Sequence, residues 1–143
     1  MILPVELSWP PRDCQPNRKP HWAAKARAAK AYRKECHALM RQAMRQRWVT
    51  VEQVCEALET HGHLDLHLEF YPPDRRTRDD DNLEGAFKAG RDGIADAIGV
   101  DDRNFRVIKW LHRDQPRKGG AVLATITAGQ EAAIRMTLPP VGE

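Results

Sequence analysis

The chain has 143 residues, of which 41% are hydrophobic and 30% charged, with a formal net charge of +3. That balance predicts one soluble domain with a real core and excludes a disordered or fibrous chain. No run approaches the roughly 20 apolar residues of a membrane span, and Met1-Ile2-Leu3-Pro4 lacks the charged start of a secretion signal, so a cytoplasmic location is expected.

Ile2 to Ser8 alternates as a strand and stops at Trp9-Pro10-Pro11. The loop from Arg12 to His21 follows, and its Asn17, Arg18 and Lys19 offer amide and basic groups of the kind that contact a phosphate backbone. Trp22 to about Arg47 contains neither Gly nor Pro and is rich in Ala, Lys, Arg and Met, which predicts a long helix with Lys25 among its scattered cations. Thr50-Val51-Glu52-Gln53 is a capping box opening a short helix that ends before Gly62. Cysteines at 14, 36 and 55 are odd in number and lack C-x-x-C spacing, which favours neither a disulfide framework nor zinc.

From Leu64 to Phe70, apolar residues alternate with His63, Asp65, His67 and Glu69, which predicts a strand with one buried and one half-exposed face. On that reading the polar row is ordinary solvent-facing surface rather than a metal site. Pro72-Pro73 ends the strand, and a charged loop carries Arg75 and Arg76. Phe105 to His112 and Ala121 to Thr127 are β-rich runs separated by Gln115-Pro116-Arg117-Lys118-Gly119-Gly120 and read as a hairpin. Residues 130–143 read as a flexible tail of the single domain 1–143.

Charge is unevenly spread. Arg12 to Trp48 holds eleven Lys/Arg against two acids, Pro72 to Asp102 five against nine, and Arg103 to Lys118 six against one. Two basic flanks therefore bracket an acidic centre, the pattern expected of an enzyme that grips a polyanion with cations and holds a metal at the scissile bond. Crowded carboxylates repel and raise one another's pKa, and a hard divalent cation such as Mg²⁺, with Mn²⁺ as the alternative, relieves this through oxygen ligands.

Asn82 to Ile98 projects as an amphipathic helix with Leu83, Phe87, Ile94, Ala97 and Ile98 on one side and Asp81, Lys88, Asp92 and Ala95 on the other. Simpler roles exist for two of these: Asp81 as a helix cap and Lys88 as the partner of Asp92 at i, i+4. Neither accounts for Asp79 and Asp80 beside the cap, or for Asp101-Asp102 beyond the far end. Glu84 stands where an EF-hand needs Gly and Gly90 where it needs Glu, which excludes a calcium loop.

Asp79-x-Asp81-Asn82, Lys88-Ala89-x-x-Asp92 and Gly99-x-Asp101-Asp102, with Leu7-x-Trp9-Pro10-Pro11 near the start, resemble the RusA-type Holliday junction resolvases, small endodeoxyribonucleases common in phages and prophages. The resemblance implies a mixed α/β (α+β) fold with a small sheet packed by helices, a homodimer, and Mg²⁺-dependent cleavage of branched DNA in recombination and repair. It further implies an active site of the carboxylates matching Asp79, Asp81 and Asp102, with a lysine matching Lys88. The family lysine usually lies nearer the D-x-D-N run than Lys88 does. Asp101 is the alternative to Asp102 as metal ligand, and the DNA arms are expected on Asn17, Arg18, Lys19, Lys25, Arg75 and Arg76.

An unbroken helix from Asn82 to Ile98 would hold its ends roughly 24 Å apart, too far for Gly99 to Asp101 to bridge. Asp102 then meets Asp79 and Asp81 only if the helix is shorter or breaks at a glycine, or if two chains pair across a two-fold axis. The composite, shared site is the expectation. The competing reading is a non-catalytic DNA-binding or regulatory protein, with a structural phage protein behind it.

Overall fold

In a computed structural model, the described residues are 1–15, 21–76, 78 and 80–128, without the side chains of Asp80 and Asp81. Asn17, Arg18, Lys19, Asp79 and the expected tail 130–143 lie outside them. The chain builds β1 (Ile2–Leu7), α1 (Trp22–Gln46), α2 (Val51–His61), β2 (Leu64–Tyr71), α3 (Asp80–Ala86), α4 (Lys88–Ile98), β3 (Phe105–Leu111) and β4 (Ala121–Thr127). This is the mixed α+β class expected. Among the described residues no helix is long and apolar enough to cross a membrane.

The four strands form one sheet in the order β1-β4-β2-β3, with β2 and β3 parallel and the other pairs antiparallel. The expected β3–β4 hairpin is therefore wrong. β4 is buried along nearly its whole length and inserts between β1 and β2, whereas β3 carries Arg106 and Lys109 and takes the edge. A strand buried on both sides gains more from a central position, and charges belong at the rim.

The helices cover one face. Leu3, Val5 and Leu7 of β1, Leu64, Leu66, Leu68 and Phe70 of β2, and Val122, Ala124 and Ile126 of β4 point into a core completed by Tyr32, Cys36, Met40 and Met44 of α1 and Ile94, Ala97 and Ile98 of α4. The α1 residues recur at every fourth position, which puts them on one stripe. Each fully buried Leu or Phe here contributes about 1.5–3 kcal/mol. Burial pushes the Cys36 thiol up to about 12 and keeps it protonated at neutral pH.

β2 differs from its sequence reading on the other face. All eight of its residues are buried, including Asp65, His67 and Glu69. The row is covered because flanking strands reach over it: Arg106 of β3 grips Asp65 through two hydrogen bonds of 2.6 and 3.1 Å, and His112 lies 3.3 Å from Glu69 while stacking on Tyr71. A buried carboxylate needs such a partner, since desolvating it alone costs several kcal/mol.

The capping box at Thr50 forms in full, with Gln53 N–H donating to Thr50 Oγ1 at 3.1 Å and Thr50 N–H to Gln53 Oε1 at 2.9 Å. α1 ends with Trp48 in the left-handed region at φ 57° and Val49 N–H on the Met44 carbonyl at 2.9 Å, a helix stop usually built on glycine.

The expected single helix from Asn82 to Ile98 is two. α3 begins at Asp80, so Asp81 lies within its first turn instead of capping it, and the break falls at Phe87 instead of a glycine. Phe87, still in the right-handed helical region, is buried edge-on against Tyr32 and Phe70 at the junction of the two helices. Ala95, projected onto the polar side, is buried.

The glycines of α4 permit close approach. A Cβ at Gly93 would lie 2.3 Å from the Arg33 carbonyl oxygen of α1, and one at Gly90 would lie 2.7 Å from Phe87. Gly93→Ala must push two backbones apart and is expected to cost about 1–3 kcal/mol, read as a lower urea midpoint with an unchanged denaturant slope.

Candidate active site

The acidic stretch begins in the loop leaving β2, where Asp74 organises its neighbours. Its Oδ1 accepts from Arg76 N–H at 3.0 Å and from Arg78 Nη2 at 2.7 Å, and Arg78 also donates to the carbonyls of Asp74 and Arg76 at 3.0 Å each. Arg78 lies 5.7 Å over the Trp9 ring, and Arg113 donates to its carbonyl at 3.0 Å. The backbone N–H of Arg76, with Arg78 and Arg76 side chains, holds the Asp74 carboxyl down to about 2. Asp74 is thereby a loop fastener, leaving Arg75 and Arg76 exposed at the loop tip. Lys25 is also exposed, near the start of α1.

Lys88 opens α4 and lies 3.5 Å from Asp92, the helical pair anticipated as its simpler role. Asp92 also lies 4.0 Å from Arg33, which clasps Asp96 through bonds of 2.6 and 2.9 Å. That clasp fixes α4 on α1 and holds the Asp96 carboxyl below its ordinary value, first through the hydrogen bond from Arg33.

At the far end of α4 the adjacent aspartates divide. Asp101 Oδ1 accepts from Arg103 N–H at 2.9 Å, capping a 3₁₀ turn, and this bond holds its carboxyl below the ordinary range. Asp102 lies 3.7 Å from Arg91 Nη2, beyond hydrogen-bond reach, interacts at longer range with Arg33, and has a side chain 30% exposed. Asp102 is therefore held more loosely than Asp101, whose Oδ1 accepts the Arg103 N–H. Arg91 Nε is itself buried without a hydrogen-bond partner. Its pairing with Asp102 is not legible from sequence spacing, because eleven positions separate them across the end of a helix.

The borders of the acidic region lie at opposite ends of β3. Lys109 donates to Glu84 of α3 at 2.8 Å and Arg113 holds Arg78, so α3 and its approach sit by the strand's C-terminal end. Asp102 sits in the turn preceding Phe105 at its N-terminal end. Seven residues at about 3.3 Å each separate these ends by roughly 20 Å. The helix break shortens the path less than needed, since α4 alone still spans about 16 Å. Among the described residues no group of three His, Cys, Asp or Glu is gathered to hold a metal, and of the nominated carboxylates only the side chains of Asp101 and Asp102 fall within that set.

No family model matches this chain. It is similar to an uncharacterized protein of Xylella fastidiosa (strain Temecula1 / ATCC 700964), 42% identical over 123 residues that span 86% of this chain and 74% of that protein.

The depressed Asp74 value carries a sign. A carboxyl whose folded value lies below its ordinary one stabilises the loop fully above the unfolded value of 3.8 and ceases to do so as the pH falls through about 2. Asp74→Asn removes that charge at every pH, and the expected outcome is faster amide hydrogen exchange at Arg76 at neutral pH with helix content unchanged.

Proposed function

The chain belongs to the same family as that Xylella fastidiosa protein, and from its own residues we propose that it is a structure-specific endodeoxyribonuclease of the RusA type, cutting four-way or otherwise branched DNA in the cytoplasm. The observation that carries this reading is the division of labour at Asp101-Asp102. One carboxylate is spent on the turn while its neighbour keeps its oxygens available, in the position of the resemblance's third acidic ligand. A solvated acidic helix would have no use for that distinction.

Asp79, Asp81 and Asp102 would hold Mg²⁺, with Mn²⁺ as the substitute; when bound, it supplies Lewis acidity for water attack on a phosphodiester. Asp102 has the donor chemistry for such an ion: a partly exposed carboxylate whose neighbour Arg91 is only loosely placed beside it. Lys88 is 61% exposed on a side chain long enough to leave Asp92, and places positive charge near the phosphate under attack. Asp74 and Arg78 shape the backbone that enters the D-x-D-N run. Lys25, Arg75 and Arg76 line exposed surface for the DNA arms, with Asn17, Arg18 and Lys19 assigned to them from sequence.

A site on opposite ends of β3 is completed by a homodimer, each chain lending Asp102 to the other's Asp79 and Asp81. A two-fold dimer then carries two equivalent sites, suited to symmetric nicking of a junction.

The decisive assay compares a synthetic four-way junction with linear duplex at equal concentration. Junction nicking that requires Mg²⁺ and is lost in Asp81→Asn and in Asp102→Asn, while junction binding survives, is the expected result. Binding without nicking by the parent protein would establish the non-catalytic DNA-binding reading instead. Mixed Asp81→Asn and Asp102→Asn proteins are expected to recover about a quarter of parental activity, because random subunit exchange gives half heterodimers with one intact shared site each.

A further inference from the structure

The turn that ends α1 displays an aromatic ring that the fold does not use. Trp48 occupies the left-handed region at φ 57°, the position after a helix that glycine fills without a Cβ penalty, and Val49 N–H closes the motif on the Met44 carbonyl at 2.9 Å. A bulky side chain there strains the backbone, and only burial of the ring could offset the strain. Val49 packs against the core, but Trp48 is 88% exposed, the most exposed large apolar side chain among the described residues. The indole therefore lowers stability with no packing to compensate.

Its surroundings are cationic. Arg45 and Arg47 are exposed within three residues of it, and among the described residues neither guanidinium is bound to a carboxylate. Gln46, Thr50 and Glu52 are also exposed, so the ring stands without the continuous apolar face that a lipid surface or a protein partner requires. A single π-face between uncommitted arginines is the chemistry that holds a nucleobase and the phosphates on either side of it.

The same turn lies at the acidic end of α4. The two helices run in the same direction, since Gly90 meets Tyr32 while Arg41 donates to the Ala97 carbonyl at 3.2 Å. Beyond them, a Cβ at Gly99 would lie 2.8 Å from Cγ1 of Val51. Trp48 is three residues from Val51 and Asp102 three from Gly99, each at most about 10 Å of chain.

We propose that Trp48 is a stacking platform for an unpaired base of the DNA strand, with Arg45 and Arg47 on the flanking phosphates. Paired bases inside a duplex show no face to such a ring, whereas bases at a branch point or in a single strand do. The platform thereby selects opened DNA at the end of the molecule that carries Asp102. This rests on the DNA-cutting reading above and names the feature of branched DNA that is recognised.

Binding is measured without Mg²⁺ on labelled oligothymidylate, on the same strand carrying abasic sites, and on blunt duplex. The parent is expected to prefer the thymidylate. Trp48→Gly is expected to bind it about tenfold more weakly, to bind the abasic strand and the duplex as the parent does, and to keep a urea midpoint equal to the parent's or higher, because glycine relieves the left-handed backbone. Trp48→Phe, which retains an aromatic face, is expected to stay within about threefold of the parent. The double variant Arg45→Ala/Arg47→Ala is expected to flatten the slope of log affinity against log salt by about 1.4, at about 0.7 per phosphate of a single strand.

Thymidylate binding that is absent in the parent, unchanged in Trp48→Gly, or weakened no more than binding of the abasic strand overturns the platform. So does a loss in Trp48→Gly of binding to phosphatidylglycerol vesicles with thymidylate binding unchanged, which would assign the ring to a lipid surface. The nuclease reading fails separately. Trp48-dependent strand binding in a protein that never nicks junctions keeps the platform and loses the function, and junction nicking with Trp48→Gly matching the parent in every binding measurement does the reverse.

Discussion

The packing of α4 on α1 is the constraint from which the acidic region takes its shape. Gly93 lets the α4 backbone reach the Arg33 carbonyl, and Arg33 returns over the contact to hold Asp96 and approach Asp92. A larger residue at that crossing would lift the helix away and with it the turn that carries Asp101 and Asp102. Apolar contacts beneath, from Ile94, Ala97 and Ile98, supply most of the adhesion; the arginine gives the pairing its angular register.

Acidic side chains that look alike in sequence have separate occupations. Asp74 ties a loop, Asp96 clasps a helix, Asp101 closes a turn, and Asp65 is sealed under Arg106. Glu84 pairs with Lys109 and Asp92 with Lys88 and Arg33, which leaves Asp102 the most loosely held, with Asp79, Asp80 and Asp81 beyond the described side chains. Among the described residues the density of negative charge is thus tolerated mostly by arginines. That leaves a narrower basis for metal binding than the raw count of carboxylates.

Local signals in the sequence were legible where local physics decides. The Gly- and Pro-free run after Trp22, the reciprocal bonds of Thr50 and Gln53, and the alternation of Ile2 to Leu7 each specify an element without help from elsewhere. Three readings failed because the deciding partner was distant. Adjacency favoured β3 with β4, but the buried length of β4 matched the gap between β1 and β2. The polar face of β2 looked wet until Arg106 and His112 reached across it from a parallel neighbour. The long helix looked continuous because nothing in its propensities marks the junction at Phe87, whose ring packs on Tyr32 and Phe70. The candidate site shares this limit: Asp101 and Asp102 are indistinguishable until the Arg103 N–H chooses one.

The placement of β4 also governs the order of assembly. Among the described residues β1 finds its strand partners in β4, paired from Ile2↔Thr127 to Leu7↔Val122, nearly the whole chain away. During synthesis β1 must wait for this pairing until β4 has cleared the ribosome. Closing so long a loop is entropically slow, so the nascent chain passes through a stage in which α1 and α2 can form while the sheet is incomplete. An apolar segment as short as Ile2–Leu7, bounded by Pro10 and Pro11, limits the misassociation that such a delay invites.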